Sequence, residues 1–348
     1  MSASRTIADN LLRWYDAHAR DLPWRVPPGS GQAADPYRVW LSEIMLQQTT
    51  VAAVKPYFAK FVARWPTVGQ LAEAEESEVM AEWAGLGYYS RARNLHAAAQ
   101  QLARNGFPQT ERELRALPGV GAYTAAAIAS IAFGQRAVVV DANVERVVSR
   151  LFAIETPAPK SRGVVRSHAD TITPDRRAGD FAQAMMDLGS QVCTAKAPRC
   201  LLCPLRKDCA AFATGQPDAY PRKPAKTAKP LRYGTAFHIE NDGDVLLVTR
   251  PAKGLLAGMR ALPDDGWTAG ADGDGAQPIA ADWTDCGIVT HAFTHARLEL
   301  RVCATRLADR PDIAGEWWPV DRLEEAGLPT LFVKALRRAR SENPAAEA

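Results

Sequence analysis

Apolar residues between Ile7 and Ala153 recur mostly at helical spacing, and the interruptions carry turn and cap residues, as at Arg64-Trp65-Pro66-Thr67 and Leu86-Gly87-Tyr88. This predicts a nearly all-helical N-terminal half. One helix is expected over Pro36 to Thr50. Another is expected over Val144 to Leu151, entered through Val138-Val139-Val140 and capped by Asp141. From Pro217 to Pro230 the pattern dissolves into Pro and Lys, which predicts a basic interdomain linker with too little apolar surface to pack. Beyond it the period changes to two. Phe237 to Glu240 and Asp244 to Val248 flank Asn241-Asp242-Gly243 and predict a hairpin on a glycine turn. Further strands are expected at Gly287 to His291 and Leu298 to Arg306, and a terminal helix over Thr330 to Arg340. The Gly-, Asp- and Ala-rich stretch from Asp264 to Asp282 has no period and reads as a mobile loop.

With 348 residues and 47% apolar content, the chain is long enough for two domains with ordinary cores. It has no leader-like N-terminus and no apolar run of about 18 residues, so a soluble, cytoplasmic protein is expected. Charge divides unevenly: residues 1–230 hold 29 Lys and Arg against 21 Asp and Glu, and the remainder holds 13 against 18. A basic N-terminal part suits a polyanion such as nucleic acid, although a solvated surface gives the same balance.

Cys193, Cys200, Cys203 and Cys209 cluster in one short loop, which favours a metal site over disulfides in a cytoplasmic chain. Four thiolates on one loop suit an iron–sulfur cluster. Zinc is the competing occupant, but four-cysteine zinc sites usually use two Cys-x2-Cys knuckles, and this loop has one. Lys196, Arg199, Arg206 and Lys207 make the loop basic. A second candidate lies at Leu117-Pro118-Gly119-Val120-Gly121, between helical stretches. There Gly119 and Gly121 leave backbone N–H groups free beside a helix N-terminus, a cradle for phosphate that reads no base sequence. An ordinary helix–turn–helix connection is the plain alternative.

Taken in order, Leu117–Gly121, Val140-Asp141-Ala142-Asn143-Val144 and the cysteine loop resemble the helix-hairpin-helix DNA glycosylases of the endonuclease III superfamily, over about residues 5–215. The resemblance implies a multidomain chain. Residues 31–135 would form an all-α six-helix barrel carrying the hairpin, and 1–30 with 136–216 a helical domain holding one [4Fe-4S] cluster on the four cysteines. A linker at 217–231 would follow, then an α+β Nudix-like domain over 232–348. DNA would lie across a cleft with the target base flipped out.

Hydrolysis of an N-glycosidic bond needs a proton donor for the leaving base and a carboxylate for the oxocarbenium-like sugar. Glu43 places a charge on the apolar stripe of Val39, Trp40 and Leu46. Burial there would raise its pKa and keep it a general acid; an exposed helix-edge Glu is the alternative. The surrounding Leu41-Ser42-Glu43-Ile44-Met45-Leu46-Gln47-Gln48-Thr49 resembles the adenine DNA glycosylases. By that resemblance Glu43 protonates adenine, Asp141 stabilises or traps the sugar cation, and Asn143 positions Asp141 or the DNA backbone. Ala142 departs from the family's Gly. Tyr123 stands where the glycosylase-lyases carry a Schiff-base Lys, so water is the expected nucleophile and the enzyme monofunctional.

Leu22-Pro23-Trp24-Arg25, Gly85 to Tyr89 with Arg91 and Arg93, and Phe181 to Gly189 extend the resemblance. It implies that Trp24, Arg25 and Gln183 line the adenine pocket and that Gln48 and Tyr88 wedge into the base stack. Thr49, Arg91, Gly119 and Gly121 join them as DNA-binding residues. In the C-terminal part, which lacks the Glu-rich metal box of active Nudix hydrolases, Phe293-Thr294-His295 resembles the family's Phe-Ser-His loop for 8-oxoguanine. The expected substrate is double-stranded DNA with adenine opposite 8-oxoguanine or guanine, bound by a monomer at the nucleoid, without a membrane. A glycosylase-lyase is disfavoured by Tyr123, a non-catalytic DNA binder by the Glu43 and Asp141 pair, and a Nudix hydrolase by the missing box.

Overall fold

Short polar residues just ahead of the apolar-periodic runs start several helices of the N-terminal part. The computed structural model describes residues 3–223, 229–251, 254–293 and 296–341. In it α1 spans Ala3–His18, α2 Pro36–Leu46, α3 Val51–Arg64, α4 Val68–Glu73, α5 Glu76–Trp83, α6 Ser90–Asn105 and α7 Glu111–Leu114. Then come α8 Ala122–Phe133, α9 Ala142–Leu151, α10 Arg162–Ile172, α11 Ala178–Gln191 and α12 Ala210–Ala213. Asp35 accepts the Tyr37 amide ahead of Pro36 at the start of α2, and Thr67 forms a capping box with Gln70 at α4. The expected helix from Pro36 ends at Leu46, four residues short of Thr50. Residues 47–49 form a turn in which Gln48 takes φ 61°, a left-handed conformation outside the helical range.

Trp40, Phe58, Phe61 and Trp83, from α2, α3 and α5, are buried together, with Phe61 edge-on to Trp83 at 6.0 Å. Side chains of this size contribute roughly 1.5–3 kcal/mol each on full burial. Helix α8 is apolar on nearly every face because α2 and α11 cover it, and α1 packs against α10 and α11. The chain divides into two compact units, Met1–Ala225 and Lys226–Ala348.

The expected linker is corrected in its first part. Pro217–Ala219 is a turn of 3-10 helix, and Tyr220 is buried, with its hydroxyl donating to Glu155. Arg222 pairs with Glu155 at 2.8 Å and stacks on the Tyr220 ring. One aromatic and partners distant in sequence outweigh a local composition of Pro and Lys.

In the second unit, β1 (Leu231–Asn241) and β2 (Asp244–Thr249) form the expected hairpin, with Asn241 opposite Asp244 across Asp242 and Gly243 at φ 47° and 76°. The expected strands appear as β4 (Thr284–Ala292) and β5 (Arg297–Arg306), the latter parallel to β1 from Leu231 to Glu240. Two short strands escaped the pattern, β3 (Arg260–Ala261) and β6 (Glu316–Pro319). The sheet runs β3-β2-β1-β5-β4, with β6 also on β2, and α13 (Thr330–Ser341) packs on it through Leu331, Phe332 and Ala335. This is the expected α+β arrangement.

Residues 264–282 hold no helix or strand, but the mobile-loop reading is corrected. Asp264 bridges to Ala236, and Trp267 is 0% exposed, seated over Gly234, where a Cβ would lie 2.5 Å from the indole. Arg250 stacks on Trp267 at 4.2 Å and pairs with Asp264. Among the described residues no helix is long and apolar enough to cross a membrane.

Candidate active site and cysteine site

A cleft of about 800 Å3 opens in the helical unit. Its walls bring together Trp24, Arg25, Glu43, Gln48, Thr49, Tyr123, Asp141, Asn143 and Gln183, residues far apart in sequence that the reading above had grouped. Helix α2 presents Glu43, α8 Tyr123, the N-terminus of α9 Asp141 and Asn143, and α11 Gln183.

Glu43 is 6% exposed and its Oε2 has no hydrogen-bond partner. Burial raises its pKa from 4.5 to about 7. The Tyr123 hydroxyl opposes that rise, Asp141 adds to it, and Arg25 opposes it more weakly. The same burial, with Glu43 and Asp141 nearby, lifts Tyr123 well above the ordinary phenol value, so it remains a protonated donor. Asp141 is held at both oxygens: Oδ1 accepts the Val144 amide at 2.7 Å as the cap of α9, and Oδ2 accepts Asn143 Nδ2 at 2.9 Å. The cap of α9 is thus also a residue that lines the cleft.

Three positioning residues were not singled out from the sequence. Asp187 is fully buried and accepts from Arg20 and, at 2.7 Å, from Arg25 Nη1, which fixes Arg25 at the cleft wall. Its signal was an acid inside the apolar run Met185-Met186-Asp187-Leu188. Arg146 donates to Asn143 Oδ1 at 2.8 Å and to the carbonyls of Gly189 (2.7 Å) and Cys193 (2.8 Å), joining the cleft to the cysteine loop. Gln47 Nε2 reaches the Gly119 carbonyl at 3.2 Å and so ties the end of α2 to the glycine hairpin.

In that hairpin Gly119 takes φ 75° against Asn94, and Gly121 caps α8 with no side chain, leaving the first amides of α8 free for an anion. Tyr88 is 62% exposed at φ 49°. Arg91 corrects the expectation of a DNA contact, because it is buried and faces inward. Its Nη1 donates to the carbonyls of Ile44 (3.2 Å), Met45 (3.0 Å) and Gln47 (2.5 Å). Its Nη2 donates to Thr49 Oγ1 (3.2 Å) and to the carbonyls of Leu86 (3.2 Å) and Gly87 (3.3 Å). In the second unit, Phe293 is half-buried, edge-on to His291 at 4.6 Å, while Thr294 and His295 lie outside the described residues.

Cys193, Cys200, Cys203 and Cys209 line one small cavity with Arg150, whose Nη1 lies 3.2 Å from Cys193 Sγ. Among the described residues no three His, Cys, Asp or Glu side chains converge to hold a single ion. Burial raises Cys200, Cys203 and Cys209, Cys203 to about 12, which keeps these groups neutral thiols.

A buried carboxyl raised to about 7 beneath a cleft, a second carboxylate pinned at a helix N-terminus and a glycine hairpin alongside accord with the families that the chain matches. The family described as HhH-GPD superfamily base excision DNA repair protein matches residues 41–168, and the NUDIX domain matches 235–338. The human adenine DNA glycosylase is 33% identical, with 96% of this chain and 74% of the relative covered. That of Mycobacterium tuberculosis H37Rv is 44% identical over 59% of this chain and 68% of its own. Among solved structures, a thermostable thymine-DNA glycosylase aligns with TM-score 0.54 and 28% identity, over 61% of this chain and 97% of that one. A non-covalent endonuclease III–DNA complex aligns with TM-score 0.50 and 25% identity, over 62% and 99%. The chain belongs to the adenine DNA glycosylase family, whose members hydrolyse N-glycosidic bonds in base excision repair.

Proposed function

We propose that the chain is a monofunctional glycosylase that excises adenine opposite 8-oxoguanine or guanine from double-stranded DNA in the cytoplasm. The observation that carries this reading is the buried Glu43 carboxyl, half-protonated near neutral pH, facing the cleft beside Asp141. Glu43 donates its proton to the flipped adenine as the C–N bond breaks. Asp141, fixed by Val144 N–H and Asn143, faces the sugar as positive charge develops. Water then attacks the anomeric carbon of the sugar and passes its proton to the ionised Glu43, which restores the acid. Tyr123 donates a hydrogen bond but offers no amine, so no Schiff base forms there and the strand stays intact.

Trp24, Gln183 and the Asp187-held Arg25 shape the base pocket, while Gln48 and Tyr88 take the space left in the stack. Gly119, Gly121 and Thr49 hold the backbone. Within the helical unit, residues 31–135 form the barrel and 1–30 with 136–216 the cluster domain. The cysteine set suits a [4Fe-4S] cluster because four thiols ring one shared cavity. When bound, the cluster staples the 193–209 loop through iron–thiolate bonds. Phe293, Thr294 and His295 read the lesion base.

Glu43→Gln tests the assignment. The variant should bind the lesion duplex with unchanged affinity and lose at least about a thousandfold in single-turnover excision. Retained excision would remove Glu43 as the acid.

A further inference from the structure

One turn, 47–49 after α2, borders the cleft, and a second, 86–88 before α6, is joined to it through Arg91. Each carries a residue at positive φ with an exposed side chain, Gln48 at 61° and Tyr88 at 49°. Such backbone is disfavoured for Gln and Tyr and persists only where the surroundings over-determine it. Arg91 supplies that constraint to both turns from behind. One guanidinium nitrogen binds carbonyls of α2 and its terminal turn, the other binds carbonyls of the second turn and the Thr49 hydroxyl, and the plane lies 5.4 Å from the Tyr88 ring.

We infer that Arg91 is a positioning residue that locks the Gln48 and Tyr88 turns at one fixed separation, so that both side chains enter the base stack together when adenine leaves it. The inference rests on the wedge reading of these two residues. It assigns Arg91 no contact with DNA and no part in the chemical step. A planar fork is needed because its two terminal nitrogens bind separate sets of acceptors, one on α2 and its terminal turn and the other on the second turn and Thr49. A lysine keeps the charge but presents a compact ammonium that does not span them.

The test compares single-turnover excision by Arg91→Lys and Tyr88→Ala on two duplexes. One has adenine opposite 8-oxoguanine in fully paired DNA, and the other has the same pair flanked by mismatches, which lower the cost of extrusion. Arg91→Lys is expected to be slowed about 10- to 100-fold on the paired duplex, to recover most of that loss on the mismatch-flanked one, and to keep the wild-type pH midpoint. Tyr88→Ala is expected to show the same selective loss. Arg91→Gln keeps a planar donor without the charge or the second arm of the fork and should show a larger loss of the same selectivity, which keeps the test open if Arg91→Lys does not fold. Equal slowing on both duplexes, or a displaced pH midpoint, would overturn the inference by placing Arg91 in the chemistry. A selective loss in Tyr88→Ala with none in Arg91→Lys would overturn the clamp and leave the wedges. No selective loss in Tyr88→Ala would overturn the wedge reading itself.

Discussion

Replacing Glu43 by Gln should end excision and yet stabilise the helical unit, by an amount that grows with pH. The carboxyl is raised by burial from 4.5 to about 7, so between those values the folded state binds more protons than the unfolded chain. Stability therefore falls as pH rises through that window and is level above it. At 1.36 kcal/mol per unit, the buried charge costs roughly 3 kcal/mol at about pH 8 and under about 1 kcal/mol at about pH 5. Gln keeps the shape and carries no charge, so the gain of the variant over wild type should increase by roughly 2–3 kcal/mol between those two pH values. Urea unfolding of both proteins at each pH, followed by far-ultraviolet circular dichroism, which reports mainly the helical unit, measures that double difference. A difference independent of pH would mean that Glu43 titrates as an ordinary exposed carboxyl, and the general-acid argument would fall with it.

Other consequences concern the supports of the site. A Cβ on Gly189 would lie 2.6 Å from the Asn143 Cβ, so Gly189→Ala should displace Asn143 and with it Asp141, slowing single-turnover excision about 10- to 100-fold at unchanged duplex affinity. Trp267→Ala should destabilise the second unit by about 3–5 kcal/mol, read as a lowered melting transition of that unit with the helical transition unmoved. Thr294→Ala should narrow the preference for 8-oxoguanine over guanine opposite adenine, measured as the ratio of single-turnover rates, and an unchanged ratio would remove Thr294 from lesion contact.

The helical half was legible because its caps and its apolar period act locally. Asp141 illustrates this, since the residue that starts α9 also lines the cleft. Glu43 was singled out through the resemblance of the surrounding Leu41–Thr49 segment, because a charge beside an apolar stripe fits an exposed helix edge equally well. Arg91 was misread because Arg-x-Arg on a helix looks solvated, whereas its acceptors on α2 and its terminal turn lie more than 40 positions upstream. Asp187 escaped notice because its partners are still more remote, and Arg146 because its bonds to the carbonyls of Gly189 and Cys193 join distant segments. The same blindness to distant partners produced the two loop errors. Trp267 organises a segment whose average composition is that of a free loop, and Tyr220 with Glu155 anchors what reads as linker. Strands β3 and β6 are too short to show a period.

The central claim, hydrolysis of adenine from DNA without strand cleavage, is tested most directly by a single turnover on a duplex with adenine opposite 8-oxoguanine, resolved with and without alkali. The arrangement of Glu43, Asp141 and Tyr123 predicts strand breaks only after alkali. Breaks without alkali would reveal a lyase amine that this site does not contain, and intact DNA after alkali would contradict excision altogether.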